Sequence, residues 1–282
     1  MSRPWTAPPL PERVATGLRL PEAPRWHEGA FWYSDIWGHK VYRLGADRQP
    51  RVVAECEMPS GLGWLPDGSM LIVAMKAQVL LRLEAGRLTP YADLSGLAQH
   101  WCNDLIVDSA GICYVGCTGG EPSEGPVSPA PLIGITSDGE PFVAASDLHF
   151  ANGMALADAG RTMFVAETGA GRITRFSIGS DGRLHSRRLH ARLKGRWPDG
   201  IDIDDAGRLW VADPRRGSLL RLSTEGDVEH VIDLEHGIAI ACALGGPAKS
   251  QLLVCAADRL PFGHMAGMNG WLELHRLDDA SP

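Results

Sequence analysis

Residues 152–167 read NGMALADAGRTMFVAE, and residues 199–213 read DGIDIDDAGRLWVAD. Each holds a short apolar alternation, a tight Asp/Gly turn and a second apolar run. The frame recurs as SGLGWLPDGSMLIVAM from Ser60 and NDLIVDSAGICYVGC from Asn103. A shorter relative, EAPRWHEGAFWYSD, starts at Glu22, and a degraded one, CALGGPAKSQLLVCAAD, starts at Cys242. The turn glycines Gly29, Gly68, Gly111, Gly160 and Gly207 stand 39 to 49 residues apart, which is a repeat period.

Within a unit, Ile201 and Ile203 alternate with polar residues, an Asx/Gly turn follows, and Leu209 and Val211 open a second strand. RITRFSIGSDGRL and SLLRLSTEGDVEHVIDL supply further strands and turns. Four strands per unit and six units predict an all-β, six-bladed β-propeller with four-stranded blades around a central channel. A parallel α/β fold is the weaker reading, because no amphipathic helical pattern separates the strands. The expected organisation is an N-terminal tail over 1–11 and one propeller domain over 12–282. RVATGLRL should close the ring by pairing near GWLELHRL.

Bulk properties narrow the function. The 282 residues are 44% hydrophobic and 22% charged, and 33 glycines with 20 prolines favour turns over helices. A net charge of -7 argues against nucleic acid. No apolar run is long enough to span a membrane, and the start lacks the layout of a signal peptide, so a cytoplasmic protein is expected. The six cysteines read as free, mostly buried thiols; Cys113 and Cys117 lie too far apart along one strand to bridge. No Gly-x-Ser-x-Gly, phosphate-binding glycine loop or His-Glu-x-x-His is present.

The repeat sorts the acidic residues. Eight positions before the turn glycine stand Ser60, Asn103, Asn152 and Asp199; Glu22 fits after one lost residue, and Cys242 is the weak sixth member. If the first strand of every blade lines the channel, these side chains meet at one mouth. Any one Asn-Gly or Asp-Gly pair reads as a turn. A position that varies among Glu, Asn and Asp from unit to unit reads instead as a ligand set. Two carboxylates and two carboxamides make a hard oxygen cage for one divalent metal ion. Ca²⁺ or Mg²⁺ suits it first, with Zn²⁺ or Mn²⁺ able to bind. Asp204 and Asp205, like Asp67, Asp108 and Asp158, belong to turns; Asp202 should point away from Ile201 and Ile203, and Asp213 should cap a turn. His100, His149 and Arg196, three residues before ring positions, belong in loops at the same mouth, with His149 able to act as a base. Trp101 and Trp197, two before Asn103 and Asp199, either wall a pocket or pack between blades. The long Pro-rich loop from Gly119 to Pro131 is a lid or a blade connection.

As a set, EAPRW at Glu22, NDLIVDSAG at Asn103, NGMALADAGRTMFVAET at Asn152 and PDGIDIDDAGRLWVAD at Asp199 resemble the SMP-30/gluconolactonase/LRE (regucalcin-like) family of six-bladed propellers. The resemblance runs from about Glu12 to Arg276. It implies that Glu22, Asn152 and Asp199 hold a divalent metal, with Ca²⁺ foremost. It implies Asn103 as a further ligand or a substrate contact, and Asp199 as the catalytic base. Substrate-binding residues would include Asn103, Trp101, Glu121, His149 and Trp197. The implied reaction is metal-dependent hydrolysis of a small-molecule lactone. Alternatives are hydrolysis of another ester or phosphoester at the same site, or a non-catalytic, metal-stabilised binding propeller. Trp101 stands where sugar-acid members carry an arginine, replacing a guanidinium fork by a flat apolar face. Nothing in the sequence sets the oligomeric state.

Overall fold

A computed structural model describes residues 10–121, 125–259 and 267–277. It is a six-bladed β-propeller of four-stranded antiparallel sheets, as the repeat predicts. Strand β1 (Glu12–Leu18) is used last. Blade one holds β2 (Pro21–His27), β3 (Ala30–Asp35), β4 (Lys40–Leu44) and β5 (Pro50–Glu55). Blade two holds β6 (Pro59–Trp64), β7 (Met70–Ala74), β8 (Val79–Glu84) and β9 (Arg87–Asp93). Blade three holds β10 (Cys102–Val107), β11 (Cys113–Cys117), β12 (Ala130–Ile135) and β13 (Pro141–Leu148). Blade four holds β14 (Ala151–Ala157), β15 (Thr162–Glu167), β16 (Arg172–Ile178) and β17 (Leu184–Arg192). Blade five holds β18 (Ile201–Ile203), β19 (Leu209–Asp213), β20 (Ser218–Leu222) and β21 (Val228–Asp233). In blade six, β22 (Ile238–Gly245), β23 (Gln251–Ala257) and β24 (Gly270–Arg276) are completed by β1, whose Glu12 pairs with Leu274 and Leu18 with Gly270. The N-terminal strand thus latches the ring at the expected place. Residues 1–9 of the expected tail lie outside the described residues.

Position within a blade explains composition. A second strand has blades packed on both of its faces, so MLIVA of β7 and LWVAD of β19 are buried throughout. An outermost strand has one open edge, and LHSRRLHAR of β17 and VEHVID of β21 are largely exposed. Between turn and strand, Asp204 Oδ1 accepts from the amides of Ala206 and Arg208, and Asp108 Oδ1 from those of Ala110 and Ile112. All six cysteines are unbridged, and five are buried.

The glycines after the ring positions do not make turns. Gly61, Gly153 and Gly200 sit where neighbouring inner strands touch backbone to backbone. A Cβ at Gly153 would stand 2.5 Å from Ile201 N and 2.6 Å from Asp199 O. One at Gly200 would stand 2.6 Å from Ala241 Cα, and one at Gly61 2.9 Å from Asp104 Cα. The Ser-Gly, Asn-Gly and Asp-Gly pairs therefore join a polar residue at the channel mouth to a close approach between blades. Gly153→Ala should force β14 away from the Asp199 segment. The expected loss of stability is about 1–3 kcal/mol, read by urea unfolding, whereas the same change at the open turn glycine Gly68 should act only through local φ strain.

Candidate functional site

Five of the six inner strands carry a bulge or irregularity at or just past the ring position; β18 pairs with β19 without one. The register slips between Glu22 and Arg25, Pro59 and Leu62, Cys102 and Leu105, Ala151 and Met154, and Ala239 and Ala241. The slip breaks period-two alternation and re-aims consecutive side chains. Glu22, Ser60, Asn103, Asn152 and Asp199 are all buried at this level. Blade six departs from expectation. Ala239 lies opposite Ala256 as Glu22 lies opposite Ser34, so the sixth ring position is an alanine. Cys242 is deeper in β22, with its Sγ 3.7 Å from the Gly200 carbonyl oxygen.

One hydrogen bond joins two of the five polar residues directly, and the others bond their surroundings. Ser60 Oγ donates to Asn103 Oδ1 at 3.4 Å. Asn152 Nδ2 donates to Thr168 Oγ1 at 3.1 Å, and Thr168 Oγ1 donates to Pro198 O at 2.7 Å. This chain turns the Asn152 amide nitrogen outward, and Asn152 Oδ1 is left buried without a partner. Asp199 Oδ1 is likewise buried and unpartnered, and the neighbouring Asn152 amide favours the ionised form of its carboxylate. Burial, and then the nearby charges of Asp199 and Asp104, push the Glu22 carboxyl well above its usual range. Burial and the charge of Asp104 do the same to Asp199. One oxygen of Glu22 accepts the Ala23 amide.

Two orphaned acceptors and two mutually repelling carboxylates at one mouth form a cluster that a cation would neutralise. The donors Glu22, Asn152 and Asp199, with Asn103 beside them, are hard oxygens and suit a divalent ion. Among the described residues no three His, Cys, Asp or Glu side chains cluster as a metal site, so the carboxamides are indispensable to this set.

Two residues beneath the ring escaped the repeat reading. Arg25 donates through Nη2 to Asp104 Oδ1 and to Leu105 O, both at 2.7 Å, and through Nη1 to Pro24 O at 2.9 Å. Asp202 points away from its isoleucine neighbours as expected: Oδ2 accepts Leu244 N at 2.8 Å, and burial raises its pKa. Arg25 and Asp104 therefore form a fixed, part-buried ion pair between the inner strands of blades one and three. The signal for Asp104 was present in NDLIVD, but alternation assigns it to the face opposite Asn103, and the bulge overrides that rule.

A second missed feature is a clamp at the end of the second strand in three blades. Asp35 accepts the amides of Arg19 and Leu20. Glu167 accepts the His149 amide at 3.0 Å and is held by Arg172, Thr174 and Arg187. Asp213 accepts the Trp197 amide at 3.0 Å and Arg196 Nη1 at 2.8 Å. Asp213 thus pins the segment that delivers Asp199, rather than capping a turn of its own. The acids ending FWYSD, MFVAE and LWVAD were the legible sign of it.

The remaining expected residues lie in the segments leading into the inner strands or, for Glu121, in the β11–β12 loop. His149, half-buried, lies in the β13–β14 turn, whose Phe150 has a left-handed φ of 57°. Trp101 is half-buried against the core and stacks on His100 at 5.0 Å between ring centroids. His100 Nδ1 meets Thr118 Oγ1 at 3.1 Å. The Arg215 guanidinium lies 4.9 Å above the half-buried Trp197 ring. Glu121 is half-buried in the β11–β12 loop, of which residues 122–124 lie outside the described residues. No helix among the described residues is long and apolar enough to cross a membrane.

Comparison with known proteins follows the geometry. The family model for the SMP-30/Gluconolactonase/LRE-like region matches residues 20–258. The chain is 28% identical to 6-deoxy-6-sulfogluconolactonase of Pseudomonas putida, over 84% of this chain and 83% of that one. It is 24% identical to pentonolactonase XacC of Haloferax volcanii, over 86% and 84%. The solved structure of regucalcin from Agrobacterium tumefaciens, described as a calcium-binding protein, superposes with a TM-score of 0.76 at 22% identity, covering 92% of each chain.

The raised carboxyls set a sign. Between the usual carboxylate range and the raised values the folded protein binds more protons than the unfolded chain, so metal-free stability falls as pH rises through that window. In a chelator, Tm should therefore gain from Glu22→Gln at neutral pH, and the gain should vanish near about pH 4, where both states are protonated. A divalent cation at a hundredfold excess over its Kd should stabilise the unmodified protein by about 2.7 kcal/mol and the Gln variant much less. Thermal melts across pH, with and without cation, read both effects.

Proposed function

The chain belongs to the SMP-30/gluconolactonase/LRE-like family, and on that premise we propose that it is a divalent-metal-dependent lactonase working at the Glu22–Asn103–Asn152–Asp199 mouth. The observation that carries the reading is the pair of buried, unpartnered acceptors, Asn152 Oδ1 and Asp199 Oδ1, set beside Glu22. The curated relatives at 28% and 24% identity are lactonases by name, and they favour a cyclic ester over other esters as substrate. Ca²⁺ is the first candidate ion, since every donor is oxygen. When bound, the cation supplies a Lewis acid for the carbonyl oxygen and a water of lowered pKa.

The protein's own groups do the rest. Asp199 takes a proton from the attacking water; because a bound cation favours its ionised form, it does so as a loosely held ligand and not as a tightly coordinated one. The same proton goes to the ring oxygen as the acyl C–O bond breaks, so a single hydroxy acid leaves with Asp199 restored. Asn152 orients Asp199 and keeps its own oxygen turned to the mouth through Thr168. The Asp213–Trp197 clamp holds the Asp199 segment in place as charge moves. Trp101, where sugar-acid members in the resemblance carry an arginine, offers a flat apolar face that favours lactones with apolar or C–H-rich faces, while Trp197 carries the Arg215 guanidinium over its ring.

The test is acid release from sugar, aliphatic and aromatic lactones by metal-stripped protein with Ca²⁺, Mg²⁺, Mn²⁺ or Zn²⁺ added back. Metal-restored turnover is expected, falling about 10²–10⁴-fold in Asp199→Asn. Trp101→Arg should move preference toward polyhydroxylated rings. Near-normal turnover in Asp199→Asn would remove the base from Asp199, and no turnover of any lactone would move the reading to another ester or to a binding propeller.

A further inference from the structure

The outermost strands of adjacent blades four and five are opposite in charge. Residues 183–196, which contain β17, hold six Lys and Arg and no Asp or Glu. Residues 225–235, which contain β21, hold five Asp and Glu and no Lys or Arg. These rims are neighbours in one chain, because the β20–β21 turn packs on β17: a Cβ at Gly226 would collide with the His190 carbonyl oxygen. Yet no ion pair among the described residues joins the two segments. Arg187 is spent on Glu167, Arg196 on Asp213, and Glu229 pairs with Arg221. Arg188, Arg192, Asp233 and Glu235 face solvent with no Lys/Arg–Asp/Glu partner. Between them stand Leu189 at 49% exposure, Val228 at 45% and Val231 at 43%, three of the six exposed large hydrophobics among the described residues.

A long open edge with protruding aliphatic side chains normally invites pairing and is blunted by like charge along its length. Here each strand carries one sign, so each repels its own kind and attracts the other. We infer that the blade-four and blade-five rim is a homodimer interface, in which β17 of one copy meets β21 of a second. The charge pattern also selects the symmetry. A two-fold axis lying across the propeller axes would set β17 against β17 and β21 against β21, and like charges would repel. A two-fold axis parallel to the propeller axes sets β17 on β21 at both ends of the contact, with Leu189, Val228 and Val231 between. That interface is isologous and closed, and both channel mouths open on the same side.

The inference is independent of the chemistry at the mouth. Sedimentation velocity on the full chain tests it first: a dimer is expected at about 0.1 M salt and dissociation toward monomer at about 1 M, where the screening length drops to about 3 Å. Arg188→Glu/Arg192→Glu and Asp233→Lys/Glu235→Lys should each be monomeric at low salt with thermal melts near that of the parent. Mixed in equal amounts, they should form a heterodimer, because each then offers what the other lacks on both rims. A parent protein that stays monomeric at low salt, a dimer indifferent to either double variant, or two monomeric variants that fail to associate would overturn it.

Discussion

Glu22 and Asp199 are buried at one mouth of a channel with nothing of opposite sign between them, and burial together with Coulomb repulsion raises both. Two ionised carboxylates so placed would be strongly unfavourable in a metal-free protein. They are held there by a fold whose stability comes from elsewhere, chiefly from second strands buried on both faces and a ring latched by β1 on β24. A bound cation would relieve that repulsion, which is the basis of the proposed metal site.

Three devices maintain that arrangement. Glycines after ring residues let the inner strands approach closely enough for side chains of different blades to converge. Acids at the ends of β3, β15 and β19 bind the amides of the segments leading into the ring, so the mouth rests on hydrogen bonds instead of loop packing alone. Arg25 pairs with Asp104 Oδ1, which also accepts the Leu105 amide, and Arg25 donates further to the carbonyls of Leu105 and Pro24. Removing one member of such a pair strands a buried charge, at a typical cost of about 3–5 kcal/mol. Asp104 adds negative charge that raises Glu22 and Asp199 further, while Arg25 draws Glu22 part of the way back.

The fold was legible because turn chemistry repeats: an Asx/Gly turn of fixed shape between two apolar runs marks the first hairpin of five blades. Counting back from the turn glycine located Ser60, Asn103, Asn152 and Asp199, and it worked because those hairpins have equal arms. It failed at blade six, where β22 is eight residues long and the turn is a different one, so Cys242 was counted where Ala239 stands. Asp104 and Arg25 were hidden for another reason. Period-two alternation places them on the far face from Asn103 and Glu22, and only the bulge brings neighbours in sequence to the same channel. The pull of Asp213 on Trp197 is a contact between the end of one strand and the approach to another, and no local pattern encodes it.

Whether the mouth is a metal centre is tested most directly by anomalous diffraction from a crystal soaked in Mn²⁺. The account predicts one peak on the channel axis, about 2.0–2.5 Å from oxygens of Glu22, Asn152 and Asp199, and lost in Asp199→Asn. A peak bound by other residues, or an occupied mouth that survives that substitution unchanged, would contradict it.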